Sequence, residues 1–159
     1  MKNTTRLDSA KLQDSEKASS ALSKKTVASR ERAQQTALLC AHAAIDKKAL
    51  HTVILDVSTR SGFTDCFVIT SGSSEKQVQA MADEVLARAR AQGEKPRLEG
   101  YDEGRWILVD LGDVVVHLFH EAIRDFYKLE ELWMGTPRVT IPQEYYTGST
   151  AAQIAATHT

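Results

Sequence analysis

The chain has only two cysteines, Cys40 and Cys66, and they stand alone. That excludes a zinc ribbon or a CxxC redox motif and predicts a reducing compartment, most simply the cytosol. No apolar run approaches the ~20 residues that span a bilayer, so no membrane helix is expected. The first residues contain no apolar h-region, so no secretory signal is expected. Internal repeats are absent, as is any Asp-x-Asp pair that would hold magnesium for phosphoryl chemistry. What remains is an ordinary composition, 42% hydrophobic and 26% charged over 159 residues, enough for one domain with its own core.

The net charge of −1 hides a division. Residues 1–33 hold eight Lys/Arg against four Asp/Glu, which leaves 12 against 17 beyond them. A surface gripping RNA phosphates normally carries the opposite sign, so little direct nucleic-acid contact and a basic protein partner are expected. Residues 1–33 carry few large apolar side chains and read as a disordered tail. Residues 34–142 read as one α/β domain and 143–159, small and polar, as a flexible tail.

Leu38, Ala41, Ile45 and Ala49 recur with helical period over 36–50. His51–Val57 alternates as a strand, and Cys66–Ile69 is a short apolar run suited to a strand covered on both faces. Ser74 with Gln77 fits a capping box opening a helix along Val78, Met81, Ala82, Val85, Leu86 and Ala89, with Gly93 as its stop. A short strand follows at 96–99. The order predicts a single mixed sheet of about five strands flanked by α-helices.

The stretch from Trp106 to Trp133 is the most informative. Gly112-Asp113 is a Gly-first two-residue loop between apolar runs, which fixes a hairpin pairing Trp106 with Phe119, Leu108 with His117 and Asp110 with Val115. Opposed residues share a face. One face is therefore aliphatic: Ile107, Val109, Leu111, Val114, Val116 and Leu118. The other carries Trp106, Leu108, Asp110, Val115, His117 and Phe119. That mixture fits a face that meets a specific partner, and it equally fits one covered by a second helical layer. A short helix with Ile123, Phe126, Tyr127, Leu129 and Trp133 follows and stops at Gly135-Thr136-Pro137. Arg124 and Tyr127 share one side of it.

Gly72-Ser73 between strand and helix has the form in which nucleotidyltransferase sites open. The carboxylates that chemistry needs do not follow in sequence, although Asp56, Asp65 and Asp110 remain candidates to converge in space. A helix cap is the favoured reading. His117, His120 and Glu121 fail as a metal set because residues an odd number apart on a strand point to opposite faces. Cys66 lacks a local base. No catalytic residue, metal or cofactor is expected, and binding is the better class.

Several segments together resemble the ribosomal silencing factor family, RsfS, also called Iojap-related. They are Asp56-Val57-Ser58, Thr64 to Ile69, Gly72-Ser73-Ser74, Glu99-Gly100, Trp106 to Asp110, Gly112 to His117, Arg124, and Tyr127 to Glu130 with Leu132-Trp133. They run in family order over 36–134; position 66, often Tyr in the family, is Cys here. The resemblance implies a nucleotidyltransferase-like fold without established catalysis. It also implies a protein that binds the large ribosomal subunit, chiefly through one basic ribosomal protein, the fourteenth in standard naming. Small-subunit joining would be blocked, repressing translation in starved or stationary cells, and the free protein would be a possible homodimer. On that footing the face of Trp106, Leu108, Asp110, His117 and Phe119, helped by Arg124 and Tyr127, is expected to dock on the basic protein. The rival readings are a nucleotidyltransferase-like enzyme or nucleotide-binding protein, and a homodimeric scaffold.

Overall fold

The computed structural model describes residues 27–147. The chain divides into two units, Met1–Arg32 and Ala33–Thr159. Of the first, residues 27–32 are described and are helical. In the second, helical residues 33–46 form α1, followed by β1 (Leu50–Asp56), β2 (Cys66–Gly72), α2 (Glu75–Ala91) and β3 (Arg97–Glu99). Then come β4 (Trp106–Asp110), β5 (Val114–His120), α3 (Glu121–Tyr127), α4 (Leu129–Leu132) and a 3-10 turn at Gln143–Tyr146.

The five strands make one mixed sheet in the order β1-β2-β5-β4-β3, antiparallel at every seam except the parallel β2–β5 pair. The hairpin register is the one the two-residue loop dictates: Trp106 opposite Phe119, Leu108 opposite His117, Asp110 opposite Val115. Gly112 adopts φ +85 and Leu111 N–H donates to Val114 O at 2.9 Å, closing the turn. Burial runs through every residue of β2, as its apolar run predicts.

Two layers cover the sheet. On one face α1 and α2 lie over Ile107, Val109, Val114, Val116 and Leu118, all fully buried, with Leu111 at the margin. α1 presents Ala33, Ala37, Cys40, Ala41 and Ala44 there, small side chains that seat a helix close to the sheet. α2 contributes the stripe of Val78, Met81, Ala82, Val85, Leu86 and Ala89. Its N-cap Ser74 accepts from Gln77 N–H at 3.1 Å, while the Gln77 side chain reaches back one residue further than in a standard capping box, to Ser73 N–H at 2.8 Å. Gly93, φ +84, ends it with Glu94 N–H donating to Ala89 O.

Several boundaries differ from expectation. α1 ends at 46 rather than near 50, because Lys48 turns left-handed (φ +67) and Ala49 N–H donates back to Ala44 O, a Schellman closure made without glycine. Residues 27–33, expected in a tail, are helical, and Ala33 is buried. At the other end Tyr146 is buried and Tyr145 stacks on His42 with ring centroids 4.1 Å apart, so ordered packing continues past 142. The remainder of the two expected tails, 1–26 and 148–159, lies outside the described residues. The final helix is also two helices, broken where Lys128 takes φ +48.

Candidate docking surface

The mixed face of the hairpin is half covered by the chain itself. α3 and α4 return across it, and Ile123, Leu129 and Trp133 pack against a second core of Leu55, Val57, Phe67, Ile69, Val115 and Phe119. Phe119 has no exposed surface and His117 only 6%. Neither can touch a partner, which corrects the expectation that both do. The sequence pattern fitted a covered and an open face equally, and the structure divides it between the two.

His117 instead organises an aromatic cluster. Its Nδ1 accepts from Trp106 Nε1–H at 3.2 Å. Its ring meets Phe67 edge-on at 4.8 Å, and Phe67 meets Trp133 edge-on at 5.0 Å. With Nδ1 accepting, the imidazole proton belongs on Nε2, which is buried and has no hydrogen-bond partner. Burial pushes the His117 pKa down to about 4, so the ring is neutral at ordinary pH.

Arg124 is also internal. Only a tenth of its side chain is exposed; Nε and Nη2 both reach Glu130 Oε1 at 2.7 Å, and Nη1 donates to Ser71 Oγ at 3.1 Å. It ties α3 to α4 and to the β1–β2 seam, so its expected role as a partner contact gives way to a structural one. The Leu50 carbonyl it approaches sits beside a bulge where His51 takes φ +53.

Four expected residues do reach the surface. Trp106, Leu108 and Asp110 are half-buried, and Tyr127 is 54% exposed with its ring 5.1 Å from that of Trp106. Asp110 Oδ1 caps the hairpin by accepting from Gly112 N–H at 2.8 Å, while Oδ2 faces Arg97 at 3.4 Å.

Sequence reasoning missed the largest apolar exposures on this side. Phe126 is 78%, Leu132 68%, Met134 75% and Phe63 72% exposed. Arg60 supports part of this group: its Nη1 and Nη2 donate to Met134 O and Leu132 O at 3.0 Å each, and its guanidinium lies 5.3 Å from the Trp133 ring centre. No sequence signal marks Phe126 as exposed, since Ile123, Phe126 and Tyr127 at i, i+3 and i+4 form one stripe that a helix would be expected to bury. The α3–α4 segment carries Glu121, Asp125, Glu130 and Glu131, of which Glu130 is held by Arg124, with Arg60 and Lys128 as the basic side chains beside the group.

The carboxylates do not converge. Asp56 on β1 and Asp110 on β4 are three strands apart, about 14 Å at the usual strand spacing, and their register partners Cys66 and Val115 belong to opposite faces. Asp56 is engaged by Ser58 N–H and Oγ. His120 caps α3 by accepting from Ala122 N–H at 3.2 Å, away from His117. Among the described residues no group of three His, Cys, Asp or Glu is placed to hold a metal ion, and no described helix is long and apolar enough to cross a membrane.

Comparison with known proteins agrees with this architecture. A ribosomal silencing factor from Halalkalibacterium halodurans is 49% identical over 109 residues, 68% of this chain and 93% of that protein. A mouse protein named for mitochondrial assembly of the ribosomal large subunit is 32% identical over 84 residues, covering 50% of this chain and 37% of its own length. A crystal structure from Bacillus halodurans, 49% identical, superposes with a TM-score of 0.58 over 65% of this chain and 94% of that one. The family described as ribosomal silencing factor during starvation matches residues 30–159, and the chain belongs to that family.

Proposed function

We propose that this chain binds the large ribosomal subunit through the outer surface of its hairpin and α3–α4. By occupying the subunit-joining face it prevents the small subunit from docking and so represses translation under starvation. The mechanism is steric: no transition state is stabilised, and no residue needs a tuned pKa for chemistry.

The observation that carries the reading is the concentration of exposed Phe126, Tyr127, Leu132 and Met134 beside half-exposed Trp106, with Glu121, Asp125 and Glu131 on the same α3–α4 segment. Large apolar and aromatic side chains left in water by a stable fold mark a binding surface. The three carboxylates select a basic occupant, and we assign it to one basic protein of the large subunit, the fourteenth in standard naming. Membership of the silencing-factor family supports the ribosomal target. In the free protein the same apolar group is the natural place for self-association.

Co-sedimentation with isolated subunits tests the reading. The chain should travel with large subunits and stay off small ones. Trp106→Ala should weaken that association about 30-fold or more, the effect of removing a ~2 kcal/mol anchor; unchanged binding would move the interface elsewhere.

A further inference from the structure

The acidic balance of the folded part conceals a basic rim. Lys47, Lys48, His51, Lys76 and Arg105 are all exposed, and the fold gathers them at one end of the sheet. Gln77 Nε2 donates to Lys48 O at 2.9 Å and Lys47 O at 3.2 Å, which seats the turn after α1 against the first turn of α2, where Lys76 lies. Ser71 Oγ donates to Leu50 O at 3.1 Å, bringing His51 to the same end. Gly104 packs so tightly on Glu75 that a Cβ there would lie 3.0 Å from its backbone oxygen, and Arg105 follows immediately.

The acids nearby are largely engaged or distant from the lysines. Asp46 is held by Arg88 and lies 3.6 Å from His42, and Glu75 faces Arg105 at 3.9 Å. Glu103 and Glu121 flank the Arg105 side of the rim. No ion pair is formed by Lys47, Lys48 or Lys76 among the described residues. Three unpaired ammonium groups in one neighbourhood repel one another and favour a polyanion over a neutral surface. The rim is continuous with the docking surface: Arg105 precedes Trp106, and its carbonyl accepts from His120 N–H at 2.8 Å at the entrance to α3.

We propose that this rim binds the phosphodiester backbone of RNA beside the protein on which the apolar surface docks. The identity of that RNA, ribosomal RNA of the large subunit, rests on the function proposed above. The charge segregation explains how a chain of acidic balance can use both: carboxylates face the basic protein, and lysines face the adjoining phosphates. Such contacts position a protein without reading sequence, and their signature is salt dependence.

The test compares the full chain with Lys47→Gln/Lys48→Gln/Lys76→Gln on purified large subunits across a series of salt concentrations. Each phosphate contact contributes roughly 0.7–0.9 to the slope of log affinity against log salt, so the triple variant should show a slope flatter by about two, with affinity reduced at least tenfold at low salt. All three side chains are exposed, so an unchanged melting temperature serves as the folding control. Equal slopes and affinities overturn the rim while leaving subunit docking intact; failure of both proteins to bind overturns both readings. Protein-stripped large-subunit RNA is the second probe, and it should also bind the parent chain more tightly than the variant. A flatter slope on subunits with no difference on stripped RNA would assign the lysines to an acidic protein instead and overturn the proposal.

Discussion

Trp106 and His117 are diagonal neighbours across the β4–β5 seam, Trp106 opposite Phe119 and His117 opposite Leu108, and the indole N–H of Trp106 donates to Nδ1 of His117 at 3.2 Å. A buried neutral histidine thus anchors one edge of a half-exposed tryptophan, and the core and the docking surface meet in this pair.

The pair makes stability depend on acid. The His117 pKa is about 4 in the fold against 6.5 for the free side chain. The unfolded chain therefore binds more protons between those values, and stability rises with pH across that window. The contribution is complete above pH 6.5 and is lost progressively down to about 4, a change of about 3 kcal/mol at most. Urea unfolding at pH 7 and pH 4.5 should show the loss, and His117→Phe should reduce it. Identical pH slopes in the two proteins would contradict the assignment.

Arg124 predicts a stability effect where a surface arginine would show none. Arg124→Ala strands Glu130 and removes the tie to Ser71, and breaking a pair this deep costs about 2–3 kcal/mol once the partial exposure of Glu130 is allowed for. Chemical denaturation reads it directly. A change below about 0.5 kcal/mol would place Arg124 among ordinary surface ion pairs.

Phe119 and Tyr127 should separate folding from binding. Phe119→Ala empties a fully buried site and should cost about 3–5 kcal/mol of stability. Tyr127→Ala removes a mostly exposed ring and should leave the unfolding midpoint nearly unchanged while weakening association with large subunits. Reversed effects would mean that the hairpin face is open rather than covered.

Gly100 and Gly112 share a left-handed backbone, φ +75 and +85, but not their surroundings. A Cβ at Gly100 would lie 2.3 Å from Trp106 O, and one at Gly112 meets nothing within 4 Å. Gly112→Ala should therefore cost only the left-handed conformation, about 1–2 kcal/mol. Gly100→Ala must in addition displace the start of β4, so thermal unfolding should fall further for Gly100→Ala than for Gly112→Ala.

Local chemistry made much of the fold legible. A two-residue loop led by Gly112 admits one hairpin register, Ser74 and Gly93 bracket α2, and the aliphatic side of β4 and β5 has no alternative to burial. What stayed hidden depends on contacts distant in sequence. Whether the Trp106 face is covered is decided by Lys128, whose left-handed turn folds Leu129 and Trp133 back onto the sheet. The role of Arg124 follows from Glu130 and Ser71, and the sequence records neither distance. Arg138, beyond the last helix, bridges Leu55 and covers the β1 edge through Asp56 N–H to Pro137 O and Val139 N–H to Ile54 O; a pairing so short leaves no periodic trace.

Light scattering of large and small subunits mixed with and without the chain measures the proposed activity itself. Added in excess to large subunits first, the chain should suppress the rise that marks subunit joining, and Trp106→Ala combined with Tyr127→Ala should restore it. Joining that proceeds at the same rate and extent with the parent chain bound would contradict the steric account.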